Sequence, residues 1–239
     1  MTERVRKTEE FLRRKLAESP FFVKYPEKGD YRLEHSIRVA RIAAEIARAE
    51  GMDEEAMVIA GLLHDVSYCR EFAGHDDWKN HGRDAARIAR PFLETLGLSG
   101  QAMEDICYGI AIHVDDEADF PGERTAFALT IADADNIDRF DVCRLYETLE
   151  NVKFSKLTLA EKTAYVEQIE ERLTKYLDLP LATAAATKLW RERISFYLDF
   201  YRRLHEQLEA STGYLDTRAD SHNIKLDIND RMMELSGRF

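Results

Sequence analysis

The chain has 239 residues, 45% of them apolar and 33% charged, with a formal net charge of −11. That composition suits one folded domain with a helical annex, and the acidic balance excludes wholesale binding to a nucleic-acid polymer, which needs a positive surface. No run reaches the roughly 20 apolar residues that cross a bilayer, and the charged opening "MTERVRKTEEFLRRKL" lacks a secretion signal, so a cytoplasmic protein without membrane attachment is expected.

Gly and Pro are scarce while Ala, Leu, Glu and Arg abound, which favours helices throughout. After a lead-in over 1–29, "EHSIRVARIAAEIARAEG" carries Ile37, Ala44 and Ala47 at helical spacing and stops at Gly51. "DEEAMVIAGLLHDV" opens with Asp53 as N-cap and acids in its first turn. Its face through Met57 and Ala60 or Gly61 is apolar until His64. "YCREFAGHDDWKN" reads as a loop, with Asn80 capping a helix that Pro91 must kink or divide. "QAMEDICYGIAIH" sets Met103, Ile106, Ile110 and His113 on one stripe. "TAFALTIADADNIDRFDVCRLYETLE" reads as one long helix with acids planted in an apolar stretch.

The helical pattern continues over 151–210, where Trp190, Phe196, Tyr197 and Phe200 read as core or interface packing, and 211–239 is a polar tail or arm. Cys69, Cys107 and Cys143 form no CxxC pair, so buried thiols are expected and neither a disulfide framework nor a thiolate zinc site.

Polar side chains that interrupt the apolar faces carry the chemistry. They are His35, the adjacent pair His64 and Asp65, His81, His113, and the acids Asp133, Asp135 and Asp138. Taken singly, each histidine reads as a core or capping group. Neighbouring helical residues point about 100° apart, so an ion between two such directions accepts both an imidazole nitrogen and a carboxylate. Asp133 and Asp135 lie about 200° apart, so only one of them faces such an ion.

The order His, His-Asp, Asp, embedded in "EHSIRVA", "AGLLHDV" and "ADNID", resembles the HD superfamily of metal-dependent phosphohydrolases over roughly residues 30–145. "DADNID" and "TKLWRERISFYLDF" further resemble a small stand-alone bacterial branch. The resemblance implies an all-α fold: an HD helical core over 30–150, with the 151–210 extension packed on it. It implies metal ligands at His35, His64, Asp65 and Asp135, joined by His81 and His113 as in binuclear members. Asp135 is preferred to Asp133 because the family's Ala-Asp-x-apolar pattern fits Ala134 to Ile137. Asp138, on the face of Asp135, serves either the ligand or the substrate.

Such a donor set suits one or two divalent transition ions, Mn, Fe, Ni, Co or Zn. The implied activity is hydrolysis of a phosphate mono- or diester of a small molecule, a nucleotide foremost, by metal-activated water. Asp65, His81 and His113 are then the candidate catalytic residues. Arg38 is the candidate phosphate clamp, with Lys79 and Arg83 read equally well as solvated surface charge. Two rival readings share this ligand set: a di-iron HD-type oxygenase, and a non-catalytic metal- or nucleotide-binding helical regulator. His75 matches no family position, and His205 and His222 read as surface residues. The C-terminal aromatics serve either a homodimer interface or a substrate lid.

Overall fold

The structure, a computed structural model, describes residues 1–212. Among them are ten α-helices, three short 3-10 turns and no strand. The helices are α1 (Glu3–Ala17), α2 (Pro20–Lys24), α3 (Pro26–Glu50), α4 (Glu54–Leu63), α5 (His75–Leu93), α6 (Gly100–Ile112), α7 (Ala126–Asp138), α8 (Val142–Asn151), α9 (Leu159–Tyr176) and α10 (Ala184–Ala210). The chain divides into two compact units, Met1–Asp138 with Ala182–Ala186, and Arg139–Leu181 with the described residues from Thr187 onward. No described helix is long and apolar enough to cross a membrane.

In the first unit α3 packs on α4 and α7, while α6 packs on α4, α5 and α7. Leu12, Ile46, Met57, Ile59, Leu63, Leu93, Ile106 and Ile110 fill the space between these helices and are fully buried. Each such side chain contributes about 1.5–3 kcal/mol relative to exposure. Helix ends are set by local chemistry. Gly51, at φ 69°, closes α3 in the left-handed conformation that glycine adopts without strain. Asp53 accepts from Ala56 N at 3.0 Å to start α4, and Ser99 accepts from Ala102 N at 3.1 Å to start α6.

In the second unit Trp190, Tyr197, Tyr201 and Phe140 are buried. Trp190 Nε1 donates to Tyr176 O at 2.7 Å, which fixes α10 to the end of α9. Phe196 is instead 40% exposed, since a step of about 100° carries it off the face of Tyr197.

Several helix expectations need correction. The stretch expected as a loop before Asn80 is already helical from His75. Asp76 and Asp77 lie in that first turn, where acids suit the dipole, and Asp77 accepts from Ala73 N at 2.7 Å. Asn80 therefore sits inside α5, its amide donating to Asp76 O at 2.8 Å. Pro91 does not divide α5, which runs on to Leu93 and ends there. The expected long helix over 125–150 is two helices, because Asp141 accepts from Val142 N at 2.7 Å and starts α8 anew. Of the cysteines only Cys107 is buried; Cys69 is half-buried and Cys143 is exposed on the outer face of α8 beside Val142 and Tyr146. Residues 213–239, with His222 and most of the expected polar tail, lie outside the described residues.

The approach of α3 to α4 rests on Gly61. A Cβ there would come within 2.7 Å of Ala40 Cα and 3.2 Å of Ala40 Cβ. Gly61→Ala is therefore expected to cost about 1–3 kcal/mol by urea unfolding, the usual range for overpacking. An unchanged midpoint would contradict the close contact.

Candidate metal centre

The side chains of this centre converge on it from five helices of the first unit. His35 lies on α3, His64 caps the C-terminus of α4, and Asp65 follows it. His81 lies on α5, His113 caps the C-terminus of α6, and Asp135 lies on α7. All are buried. The adjacency of His64 and Asp65 works because the helix ends between them: His64 keeps φ −54° and ψ −36°, whereas Asp65 turns to φ −108° and ψ 15°. Both side chains thereby face the same interior space.

Asp65 stands at the middle. Its Oδ2 lies 3.4 Å from His35 Nε2 and 3.4 Å from His64 Nε2, and its Oδ1 lies 3.3 Å from His81 Nε2 and 3.6 Å from His113 Nε2. Asp135 Oδ1 is 3.2 Å from His35 Nε2 and 3.9 Å from His64 Nε2. Ligand atoms of His35, His64 and Asp135 fall within 4.8 Å of one another, as do those of His64, Asp65 and His113.

The outer nitrogen of every imidazole is tied down. His64 Nδ1 meets Gly61 O at 2.7 Å, His113 Nδ1 meets Ile110 O at 2.7 Å, and His81 Nδ1 meets Trp78 O. His35 Nδ1 meets Asp138 Oδ2 at 2.8 Å. Since these partners only accept, each Nδ1 carries the proton, and in the neutral ring Nε2 is left with its lone pair. The lone pairs then converge on one another and on carboxylate oxygens. His81 Nε2 and His113 Nε2 approach to 3.1 Å. His64 Nε2 and Asp65 Oδ1 are buried without a hydrogen-bond partner. Acceptors gathered in this way need a cation among them, either a proton or a metal ion. Nitrogen and oxygen donors without thiolate fit a divalent transition metal.

The electrostatics agree. Burial alone would push the Asp65 carboxyl up, but His64, Arg32, His113 and His35 outweigh it and hold the group well below the usual carboxylate range. Burial alone would pull His35 down, but hydrogen bonds to Asp135, Asp138 and Asp65 push it up to about 10, so without a metal its Nε2 holds a proton in place of the free lone pair. Burial does prevail at His81, whose imidazole is pulled down despite the nearby Asp65.

Around the centre, Asp133 faces away from it, and its Oδ2 accepts from Ala182 N at 2.8 Å. Asp138 joins His35 to Arg38, which donates from Nε at 2.8 Å and Nη2 at 3.2 Å. Arg83, read from sequence either as a phosphate contact or as solvated charge, is buried, and its fork holds Asp115 at 2.8 and 3.0 Å, so it braces the turn after α6. Lys79 remains half-exposed, 4.0 Å from Asp115. His75 is exposed, with its ring stacked on Trp78. In the second unit His205 is partly exposed, 3.3 Å from Glu170.

Two residues escaped the sequence reading. Arg32, one turn before His35, binds Asp65 Oδ2 through Nη1; the i, i+3, i+6 spacing of Arg32, His35 and Arg38 on one helix is the signal that marks it. Gly82 lets α5 approach α6, since a Cβ there would meet Ala111 O at 2.7 Å and His113 Nδ1 at 3.1 Å. Its position beside His81 was the available hint.

The sequence profile of the HD domain family matches residues 32–139, the span that holds every side chain of this centre. The chain carries an HD domain. A solved structure described as a predicted HD superfamily hydrolase, from an uncultured Thermotogales bacterium, matches with a TM-score of 0.56 at 20% identity, covering 84% of this chain and 91% of that one. That likeness is one of fold. No curated protein matches the chain in sequence.

In the HD domain, Asp138 orients His35 and confirms its tautomer. Asp138→Asn is expected to lower the affinity for Mn(II) by about 10–100-fold, the usual effect of losing a ligand's outer partner, with helical content unchanged. Calorimetric titration checks this, and an unaltered Kd would remove Asp138 from the centre.

Proposed function

We propose that the HD domain is a metal-dependent phosphohydrolase that cleaves a phosphate mono- or diester of a small molecule, with nucleotides as the first candidates. The observation that carries this reading is the convergence of four imidazole Nε2 atoms on the two oxygens of Asp65, inside a buried site. His35, His64, Asp65 and Asp135 would hold one ion, and His81 and His113, with Asp65 shared, a second. The donor set suits Mn, Fe, Co, Ni or Zn. Held there, such a metal would lower the pKa of a bound water towards about 7 and would offset charge on the phosphoryl oxygens.

The chain's own residues supply the rest. The carbonyls of Gly61, Trp78 and Ile110 keep His64, His81 and His113 in the tautomer that points Nε2 inward. Asp65, turned out of the helix, divides its oxygens between the two imidazole pairs, which is the arrangement a shared ligand requires. Burial keeps His81 neutral at physiological pH, so its Nε2 is an acceptor beside the carboxylate. Asp65, His81 and His113 are the groups proposed to touch the reacting atoms. Arg38 is proposed to bind the substrate phosphate from the place where Asp138 holds its guanidinium. The enclosure of the centre limits competing water and strengthens each electrostatic contact.

The test is a purified protein loaded with Mn(II) or Fe(II) and offered a panel of phosphorylated metabolites and aryl phosphodiesters. Phosphate or alcohol release is expected from at least one of them. His64→Ala and Asp65→Asn are each expected to lower both bound metal and turnover by at least about a hundredfold, the upper end seen for outer partners of a ligand. Full metal retention in both variants would overturn the ligand assignment. Oxygen uptake by the iron-loaded protein, without phosphate release, would replace hydrolysis with oxygenation.

A further inference from the structure

Arg32 occupies an unusual place for a cation. Its side chain is only 16% exposed, and Nη1 binds Asp65 Oδ2, the same oxygen that faces His35 Nε2 and His64 Nε2 at 3.4 Å each. The guanidinium lies over the Tyr68 ring, with Cζ 3.5 Å from the centroid, and Cζ is 5.6 Å from the Tyr31 ring centroid. A buried carboxylate without a counter-charge is strongly destabilising, so some cation must face Asp65 before any metal does. Asp138 has Arg38; Asp65 has Arg32.

We propose that Arg32 is a built-in counter-cation that holds Asp65 in orientation in the metal-free protein and competes with a metal ion for Oδ2. This deepens the metal-centre reading above and rests on it. Two cationic charges sharing one carboxylate oxygen in a poorly hydrated site repel each other. The coupling between them is therefore unfavourable, and it is reciprocal: the ion loosens Arg32 as much as Arg32 weakens the ion. The Tyr68 face holds the guanidinium in place over Oδ2, so stacking adds to what an entering ion must displace.

The experiment measures Mn(II) affinity by calorimetric titration and thermal melting with and without Mn(II), for the wild type, Arg32→Gln and Arg32→Lys. Arg32→Gln is expected to melt lower than the wild type without metal, to bind Mn(II) at least threefold more tightly, and to gain more in Tm from the ion. Arg32→Lys keeps the charge and is expected to stay within twofold of the wild-type Kd. Weaker Mn(II) binding by Arg32→Gln, or a gain of equal size in Arg32→Lys, would overturn the proposal. If Arg32→Gln folds only when Mn(II) is present, that also supports it. If it folds under neither condition, Tyr68→Leu, which removes the stacking face, decides: tighter binding supports competition and unchanged binding refutes it. Absence of Mn(II) binding by the wild type would sink the metal centre itself, a result distinct from wild-type binding that Arg32→Gln fails to tighten.

Discussion

A carboxylate with 3% of its residue exposed, ringed by imidazoles, is an expensive thing to bury, and the arrangement of the first unit follows from that constraint. Asp65 stays ionised because the charges and hydrogen bonds of His64, Arg32, His113 and His35 outweigh its burial. The compensating groups come from α3, α4 and α6, whereas α7 adds the further carboxylates Asp135 and Asp138, which themselves lean on His35 and Arg38. A buried charge that loses its partner costs about 3–5 kcal/mol, enough to threaten a domain of ordinary stability. A core built for stability alone would place apolar groups at these positions. Keeping the charges is intelligible if a cation is meant to enter among them.

The ligating geometry is built from ordinary helix chemistry. The last carbonyls of a helix lack partners within it. At α4 and α6 the terminal histidines turn Nδ1 back onto Gly61 O and Ile110 O, so one hydrogen bond both satisfies the helix end and aims Nε2 inward. The same i to i−3 contact recurs at His81 with Trp78 O. Close backbone approach completes the geometry. Gly61 against Ala40 brings α4 to α3, and Gly82 against Ala111 brings α5 to α6, in each case where a methyl group would keep the helices apart.

This explains which parts of the molecule were legible in the sequence. The start of α4 at its Asp53 cap and the stop of α3 at Gly51 were readable because their chemistry is local. The rotation between Asp133 and Asp135 was readable for the same reason, since a helix fixes relative direction: Asp135 faces the imidazoles and Asp133 faces Ala182. The start of α5 was not, because acids at Asp76 and Asp77 resemble loop composition as easily as a first helical turn. The break at Asp141 was hidden because apolar periodicity continues across it into α8. Arg32 and Arg83 were missed or misjudged for a different reason. An arginine on a helix looks solvated until its partner is known, and Asp65 and Asp115 lie on other segments of the chain.

The two oxygens of Asp65 also divide the centre electrostatically. On the Oδ2 side stand His35, His64 and a second carboxylate, Asp135, which gives that side the stronger attraction for a divalent ion. On the Oδ1 side stand only the imidazoles of His81 and His113, so the attraction there comes from Asp65 alone. Arg32 sits on Oδ2, the anion-rich side, and its charge subtracts from the larger attraction. In the proposed reading this brings the two halves closer in affinity than their ligands alone would make them. A first ion that displaced the guanidinium would relieve that subtraction and restore the imbalance. In that reading the order of filling would depend on Arg32 as well as on the ligands themselves.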